Sequence, residues 1–377
     1  MPVVCDPAER TLSNGVIEVR IDTSGHVVSL RRAGASHEIV AAPLNQLVIV
    51  RERTMDDEVA ASGSEGVQGI VWSSAESKRR VKWRIGEQHP LRAELVLERR
   101  IGEASTIEQT FRLDAGSPRL EIRSRVEWRE GGCTLRADFP VGLEDATLTC
   151  GERACHAAGV ARDVIQQQEA VREERMCDWI DVSRPGLGCT ILAGNGCGCS
   201  CEGSSIAVSL LRTPLHVDSD ANDVEHAFAY AVMPHEGDWH VAGVVAEAES
   251  MRRPLRGFAL EARAEGVESA ESTIDVFTPI RVVPDEGFGS GRMTIESIRR
   301  SADDARLIVQ VRECQDASSR AALSFAFDIA EIAIVDALGR AADDAGTLSK
   351  ADVPTLTLGP LQTVTLAITP ADRTLRV

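Results

Sequence analysis

A chain of 377 residues with 43% hydrophobic content is long enough to pack two or three domains. Its 58 acidic residues against 41 basic ones leave a net charge of -17, which excludes nucleic acid and anionic membrane surfaces as partners. No stretch of about 18 apolar residues offers a membrane span, and no basic segment followed by a long apolar run opens the chain.

Without an export signal, the expected compartment is the cytoplasm, and the ten cysteines are expected as reduced thiols rather than a disulfide framework. Aromatic residues are only 4% of the chain, with one tyrosine, Tyr230. Trp72, Trp83, Trp128, Trp179 and Trp239 are the only indoles, and core packing is the expected use of each.

Residues 12 to 50 read as a meander. Val16 to Ile21 alternates, Asp22 to Gly25 turns, and His26 to Arg31 runs back. Residues 54 to 68 are polar and rich in Gly and Ser, a loop. Four long strands are expected over Lys78 to Ile85, Leu91 to Arg100, Ser105 to Leu113 and Arg119 to Arg129, punctuated by Gly86, Gly102, Gly116 and Pro118. Leu91, Ala93, Leu95 and Leu97 share one face, and Arg92 and Glu94 the other. That is the pattern of an antiparallel sheet with one wet face. Helical periodicity is scarce. Residues 161 to 175 come nearest, but Gln166 to Gln168 and the acids after them read as a loop.

Three more strands follow at Gly188 to Ala193, Ser205 to Leu211 and Glu225 to Met233. Pro214 cannot donate to a ladder, so the second should stop before it with Arg212 at its mouth. The third sets His226, Phe228 and Tyr230 against Ala227, Ala229 and Ala231, and the turn Pro234 to Trp239 closes it. Beyond Phe258 the composition shifts. Glu261 to Glu271 is rich in acid and alanine, Thr273 to Val283 has a strand pattern, and Pro284 to Gly291 reads as a linker. The remainder holds short strands at Leu307 to Arg312, Ala321 to Phe327, Glu331 to Val335 and Thr363 to Ile368, with turns at Ala337 to Gly339 and Asp343 to Gly346.

The order W-x-D-x-S, G-x-G, SLLR-x-P, D, H-x-F-x-YA-x-x-PH-x-G-x-W runs through Trp179, Asp181, Ser183, Gly186, Gly188, Ser209 to Arg212, Pro214, Asp218, His226, Phe228, Tyr230, Ala231, Pro234, His235, Gly237 and Trp239. Together with Leu12-Ser13-Asn14-Gly15, Asp22 to Gly25 and Asn45-Gln46-Leu47, it resembles the C-terminal region of the family 38 glycoside hydrolases, the α-mannosidases.

The resemblance implies a mostly β protein: a galactose-mutarotase-like antiparallel supersandwich over 1–260, a connecting segment at 261–291 and a smaller β-sandwich over 292–377. In that family the zinc, its ligands and the aspartate nucleophile belong to an N-terminal domain with no counterpart here. The expectation is therefore no cofactor in this chain, with zinc in a separate catalytic half as its partner. The chain would supply scaffold and one wall of a cleft for terminal α-linked mannose. Whether Met1 is a true start or follows a split of the gene is left open. The alternative from another class is a stand-alone carbohydrate-binding or mutarotase-like module, which needs a His and Glu acid/base pair, with His216, His235 and Glu236 as conceivable members.

Three residues are the candidate substrate contacts. Arg212 at its strand end can fork onto sugar hydroxyls or a carboxylate, or pair with Asp218 or Asp220 to pin the loop. Asp218 and His235 come from the matched motifs. No H-x-H or H-x-x-x-H pair occurs among the eight histidines. Cys197, Cys199 and Cys201 could converge on a soft metal if they alternate along a strand, or could be a strand edge of small residues. Where many relatives have N-D-x-K-Y-G this chain has Ala193 to Gly198, so the contact this loop makes with a catalytic domain is not carried over to this chain.

Overall fold

Alternation in the strand Ser105–Asp114 sets the pattern for the whole chain. Ser105, Ile107, Gln109, Phe111 and Leu113 turn inward while the residues between them stay wetter. Two of the inward residues are polar and must find partners inside. The computed structural model of the chain describes residues 1–35, 38–51, 69–143, 145–151, 162–164, 171–175, 178–194, 198–202, 205–213, 225–255, 278–285, 287–288, 291–302, 305–340, 347–348 and 354–371.

Met1–Arg153 and Ala161–Pro254 make one compact unit. Its largest sheet has nine antiparallel strands in the order Arg162–Val164, Thr147–Gly151, Trp179–Arg184, Leu187–Ala193, Glu225–His235, Leu120–Glu127, Ser105–Asp114, Arg92–Ile101 and Lys82–His89. A six-stranded sheet runs Val171–Arg175, Gly198–Glu202, Ser205–Arg212, Cys133–Pro140, Gln46–Arg51 and Ile70–Ser73. A four-stranded meander, Val4–Asp6, Thr11–Ser13, Ile17–Ile21 and Val27–Arg32, completes it. All three feed one apolar core: Leu97, Phe111 and Ile122 from the first, Ile49, Leu135 and Ile206 from the second, Leu12, Val19 and Leu30 from the third. This is the expected antiparallel supersandwich.

The motif residues near the chain start are joints of this core. Asn14 spends all its hydrogen-bonding capacity. Its Nδ2 donates to the carbonyls of Asp114 and Ser117, both at 2.8 Å, and its Oδ1 accepts from the N–H groups of Val16 and Ile17. Asp22 Oδ1 accepts from the Ser24 and His26 N–H groups and closes the turn at Gly25. Gly25 has φ +84°, and a Cβ there would stand 2.4 Å from Leu97 Cδ1, so both conformation and space demand glycine.

The second unit contains Leu255–Val377. A three-stranded sheet (Ile280–Pro284, Ser319–Phe325, Thr355–Leu358) and a five-stranded one (Met293–Arg300, Leu307–Glu313, Thr363–Pro370, Ile329–Val335, Thr347–Leu348) share a core that includes Leu323, Leu356, Val309 and Leu366. Glu313 is fully buried there. Its Oε1 accepts from the N–H groups of Arg292 and Gln315, and its Oε2 from those of Ala317 and Leu361. Four donors around one carboxylate offset the cost of taking it out of water.

Several local expectations are corrected. Residues 162–164 and 171–175 are strands, not loop, because each finds a sheet edge to pair with, at Thr147–Gly151 and Gly198–Glu202. Gly86 lies inside the strand Lys82–His89 rather than ending it, and a register shift between Ile85 and Gln88 absorbs it. Leu91 sits in the Pro90–Leu91 turn and is 65% exposed, so it does not share the buried face of Ala93, Leu95 and Leu97.

The third motif strand continues through Pro234 to His235. Gly194 N–H donates to the Ala229 carbonyl, so odd residues of this strand bond toward Leu187–Ala193 and even ones toward Leu120–Glu127. The last partner on that even side is Leu120, opposite Val232, so proline at 234 removes no ladder bond.

The chain also has an α-helix, Val244–Arg252, that the sequence pattern left unassigned. It is short, but its signals were present: Ala and Glu as helix formers, Glu247 in the first turn, Arg252 in the last, and Pro254 beyond. Among the described residues no helix is long and apolar enough to cross a membrane. The expected loop at 54–68, the 261–277 part of the connecting segment and the turn at Asp343 to Gly346 lie outside the described residues.

Glu313→Gln turns one acceptor oxygen into an NH₂ group facing two N–H donors. The expected loss is about 1–3 kcal/mol, read as a lower denaturant midpoint with an unchanged slope. A second expectation concerns acid. Burial alone would raise the Asp114 carboxyl, but hydrogen bonds and charge from Arg112 and Arg92 outweigh it and hold it at about 2. A depressed carboxylate stabilises the fold above its ordinary pKa, and that stability is lost as pH falls through the folded value. Asp114→Asn should therefore be less stable than the parent at neutral pH, and the gap should close between about pH 4 and pH 2. Equal deficits at both ends of a pH series of unfolding curves would refute this.

Candidate functional site

Three neighbouring strands, Trp179–Arg184, Leu187–Ala193 and Glu225–His235, carry most of the motif. Their register sets Asp181 beside Thr190 and Thr190 beside Met233. One face therefore presents Trp179, Leu192, Ala231 and Met233, and these pack with Trp239, Val244 and Ala248 into an apolar cluster separate from the main core. The helix is the lid of that cluster. Val244 and Ala248, one turn apart, are its buried residues. The rings of Trp179 and Trp239 lie 5.0 Å apart, tilted by 36°. Arg119 fastens the helix to the sheet by an ion pair with Glu247 and a 2.7 Å hydrogen bond to Ser250 Oγ.

At the far end of the same face His235 is 2% exposed. Its Nε2 stands 2.8 Å from Asp181 Oδ1 and 3.1 Å from Thr190 Oγ1, and Thr190 donates to the same carboxylate oxygen at 2.6 Å. Asp181 and Thr190 are fully buried. A Cβ on Gly188 would fall 2.1 Å from His235 Cε1, so the glycine of the motif makes room for the imidazole of its partner strand. On the other face of the strand, burial pushes the Cys189 thiol up, and the Asp181 charge adds to the shift. His235, read from the sequence as a substrate contact, is placed as a buried strut across three strands. Its neighbour Glu236 has a side chain 72% exposed, near Arg32. The pair His235 and Glu236 therefore does not converge as an acid and a base, and His216 lies outside the described residues.

Arg212 is placed differently. It ends the strand Ser205–Arg212 of the six-stranded sheet, opposite Thr134, and is exposed. The next residue, Thr213, is buried. Its N–H donates to the Cys133 carbonyl at 3.0 Å and its Oγ1 accepts from Trp128 Nε1. The strand is thus held firmly up to Thr213, and Arg212 stands on that braced end. Arg212 and His235 belong to different sheets. Asp218 and Asp220 lie outside the described residues, as do Cys197 and the side chain of Cys201. Cys199 is buried in the main core. Among the described residues no three His, Cys, Asp or Glu side chains gather as a metal-ligand set.

A polar network between the sheets went unassigned in the sequence. Tyr230 donates to Asn45 Oδ1 at 2.5 Å, Gln109 Nε2 donates to the Tyr230 hydroxyl at 3.0 Å, and Asn45 Nδ2 donates to the Gly25 carbonyl at 3.1 Å. The available signal was parity. Arg99 sits at an inward position of a strand whose other inward residues are apolar, and Gln109 lies between the inward Ile107 and Phe111 of the next.

Comparison with known proteins agrees with the motif order. The family model "Glycosyl hydrolases family 38 C-terminal domain" matches residues 12–220. The chain belongs to that family. Human "Alpha-mannosidase 2C1" is 27% identical over 366 residues, covering 95% of this chain and 33% of that protein. "Alpha-mannosidase G" of Dictyostelium discoideum is 27% identical over 146 residues, 39% of this chain and 13% of that one. A crystal structure of an alpha-mannosidase from Enterococcus faecalis V583 shares the fold at TM-score 0.70 and 14% identity, covering 98% of this chain and 43% of its own. The chain thus spans about a third of the length of the human relative.

Gly188→Ala drives a methyl into the His235 ring. The expected cost is about 1–3 kcal/mol of overpacking, with loss of near-ultraviolet signal from the Trp179 and Trp239 pair as the three strands shift. Unchanged thermal unfolding would show that the ring does not occupy this place.

Proposed function

We propose that this chain is the C-terminal, non-nucleophile part of an α-mannosidase that hydrolyses terminal α-linked mannose, and that it acts with a catalytic half carrying the zinc and the attacking carboxylate. By the family resemblance the metal is assigned to that other half; among the described residues no three His, Cys, Asp or Glu side chains gather as a ligand set. Retaining glycosidases need a nucleophile and an acid flanking the scissile bond. This chain's part is to brace those groups and to line one wall of the cleft.

The observation that carries the reading is the contrast within the family motif. Trp179, Asp181, Gly188, Tyr230, His235 and Trp239 are consumed in packing, whereas Arg212 is exposed at the end of a braced strand. A planar guanidinium on a rigid mount can hold two oxygens of a sugar, or orient a carboxylate of the other half, with little entropy left to lose. The cytoplasm remains the compartment this reading assumes.

The test is reconstitution. The purified chain alone should not turn over an aryl α-mannoside, and mixing it with a catalytic half from a relative should restore activity that a chelator removes. In the complex, Arg212→Ala should lower kcat/KM by about 10- to 100-fold, in line with losing a charge-assisted hydrogen bond at a binding site. Arg212→Lys should also be impaired, because an ammonium cannot reproduce the fork. Both variants should unfold at the parent temperature. Unchanged kinetics in both, or a large fall in Tm for Arg212→Ala, would overturn the role given to Arg212. Hydrolysis by the chain alone would overturn the division of labour.

A further inference from the structure

Arg99 lies on the strand Arg92–Ile101 at the parity of Ala93, Leu95 and Leu97, and points into the space between the large sheets. It is 5% exposed. Its Nη1 donates to the Ser24 carbonyl at 2.8 Å, but Nε and Nη2 have no hydrogen-bond partner among the described residues. The guanidinium carbon stands 5.6 Å from the centre of the Trp72 ring, and Trp72 Nε1 is also buried without a partner. Burial lowers Arg99 to about 10, which still leaves it charged at neutral pH.

Tyr230 and the Asp22 carboxylate act on its charge. The oxygens of Asp22 are occupied by the N–H groups of Ser24 and His26 and by the His26 ring. Gln109 gives its Nε2 to Tyr230 and Ser124, and its Oε1 is buried with no partner among the described residues. A buried positive charge with two idle donors, beside a third idle donor, is costly unless something negative accepts from them. A small, singly charged acceptor would meet these donors and offset the charge. Trp72 also lines an open pocket of about 460 Å³ with Ser73, Glu76, Lys78 and Arg79.

We propose that Arg99 and Trp72 form a buried site for a small monovalent anion, a halide such as chloride, held by Arg99 Nε–H and Nη2–H and by Trp72 Nε1–H. The anion ties the edge strand Ile70–Ser73 to the nine-stranded sheet and neutralises the charge Arg99 brings into the core. The site is independent of the proposed mannosidase role, and its test needs no activity.

The test is thermal unfolding of the full chain, titrated with sodium chloride or sodium bromide against sodium gluconate at constant ionic strength. A ligand that binds only the folded state raises Tm, by about 2–4 °C once it exceeds its Kd several-fold in a domain of this size. Arg99→Met removes the charge and its donors, and Trp72→Phe removes the indole N–H while keeping a smaller aromatic ring. Both should lose the halide-dependent rise, and Trp72→Phe keeps the test decisive if Arg99→Met fails to fold. Crystals grown in bromide should show an anomalous peak between Arg99 and Trp72. Absence of any halide-dependent rise means the donors are met by water only and overturns the proposal. So does a rise that persists in full in Trp72→Phe, which marks a general salt effect.

Discussion

The hydroxyl of the chain's single tyrosine is where its three large sheets are pinned together. Tyr230 rises from the centre of the nine-stranded sheet, donates to Asn45 at the entry to the six-stranded sheet, and through Asn45 reaches the Gly25 turn of the meander. Gln109, from the next strand but one, closes the hub from the other side. Apolar burial alone would let two twisted sheets slide over one another with little change in contact area. A hydroxyl and two amides in a dry core cannot slide, because each lost hydrogen bond leaves a buried polar group unmet. The ring of Phe139, edge-on at 5.9 Å, fills the space beside the hub. Asn45 even takes a left-handed backbone, φ 63°, to present its amide there.

The same logic explains what the family signature preserves. Asn14 ties the meander to the turn after Ser105–Asp114, Asp22 closes a glycine turn against Leu97, and Gly188 clears space for His235. Trp179 and Trp239 build the small second core under the helix. These positions are joints: a change at any of them alters how sheets meet rather than what a sugar touches. Other motif residues stand at strand ends, where side chains reach solvent. Arg212 is one such end.

The second unit repeats the solution on a smaller scale with different chemistry. Where the first unit uses amides and a phenol, the second sinks the Glu313 carboxylate into four backbone N–H groups contributed by three separate stretches. One acidic side chain thereby fixes two loops against the strand Leu307–Glu313, which a small core could not hold by apolar contact alone.

The alternation of polar and apolar residues was enough to establish an almost wholly antiparallel β chain, the long strands from Arg92 to Glu127, and the short ones of the terminal sandwich, because a strand's two faces are written residue by residue. Motif order was enough to reach the family. Local pattern was insufficient wherever a segment's state depends on a distant edge. Residues 162–164 and 171–175 became strands because sheets offered them partners, and Pro234 stayed in a strand because its neighbour had already ended at Leu120. The roles within the motif were equally hidden. The sequence could name His235 and Arg212 together, but only the tertiary structure buried the first against Asp181, in one sheet, and left the second exposed at the edge of another. Burial is a property of what packs above a residue, and for His235 that is decided by glycine 188 on a neighbouring strand, 47 residues away in the chain.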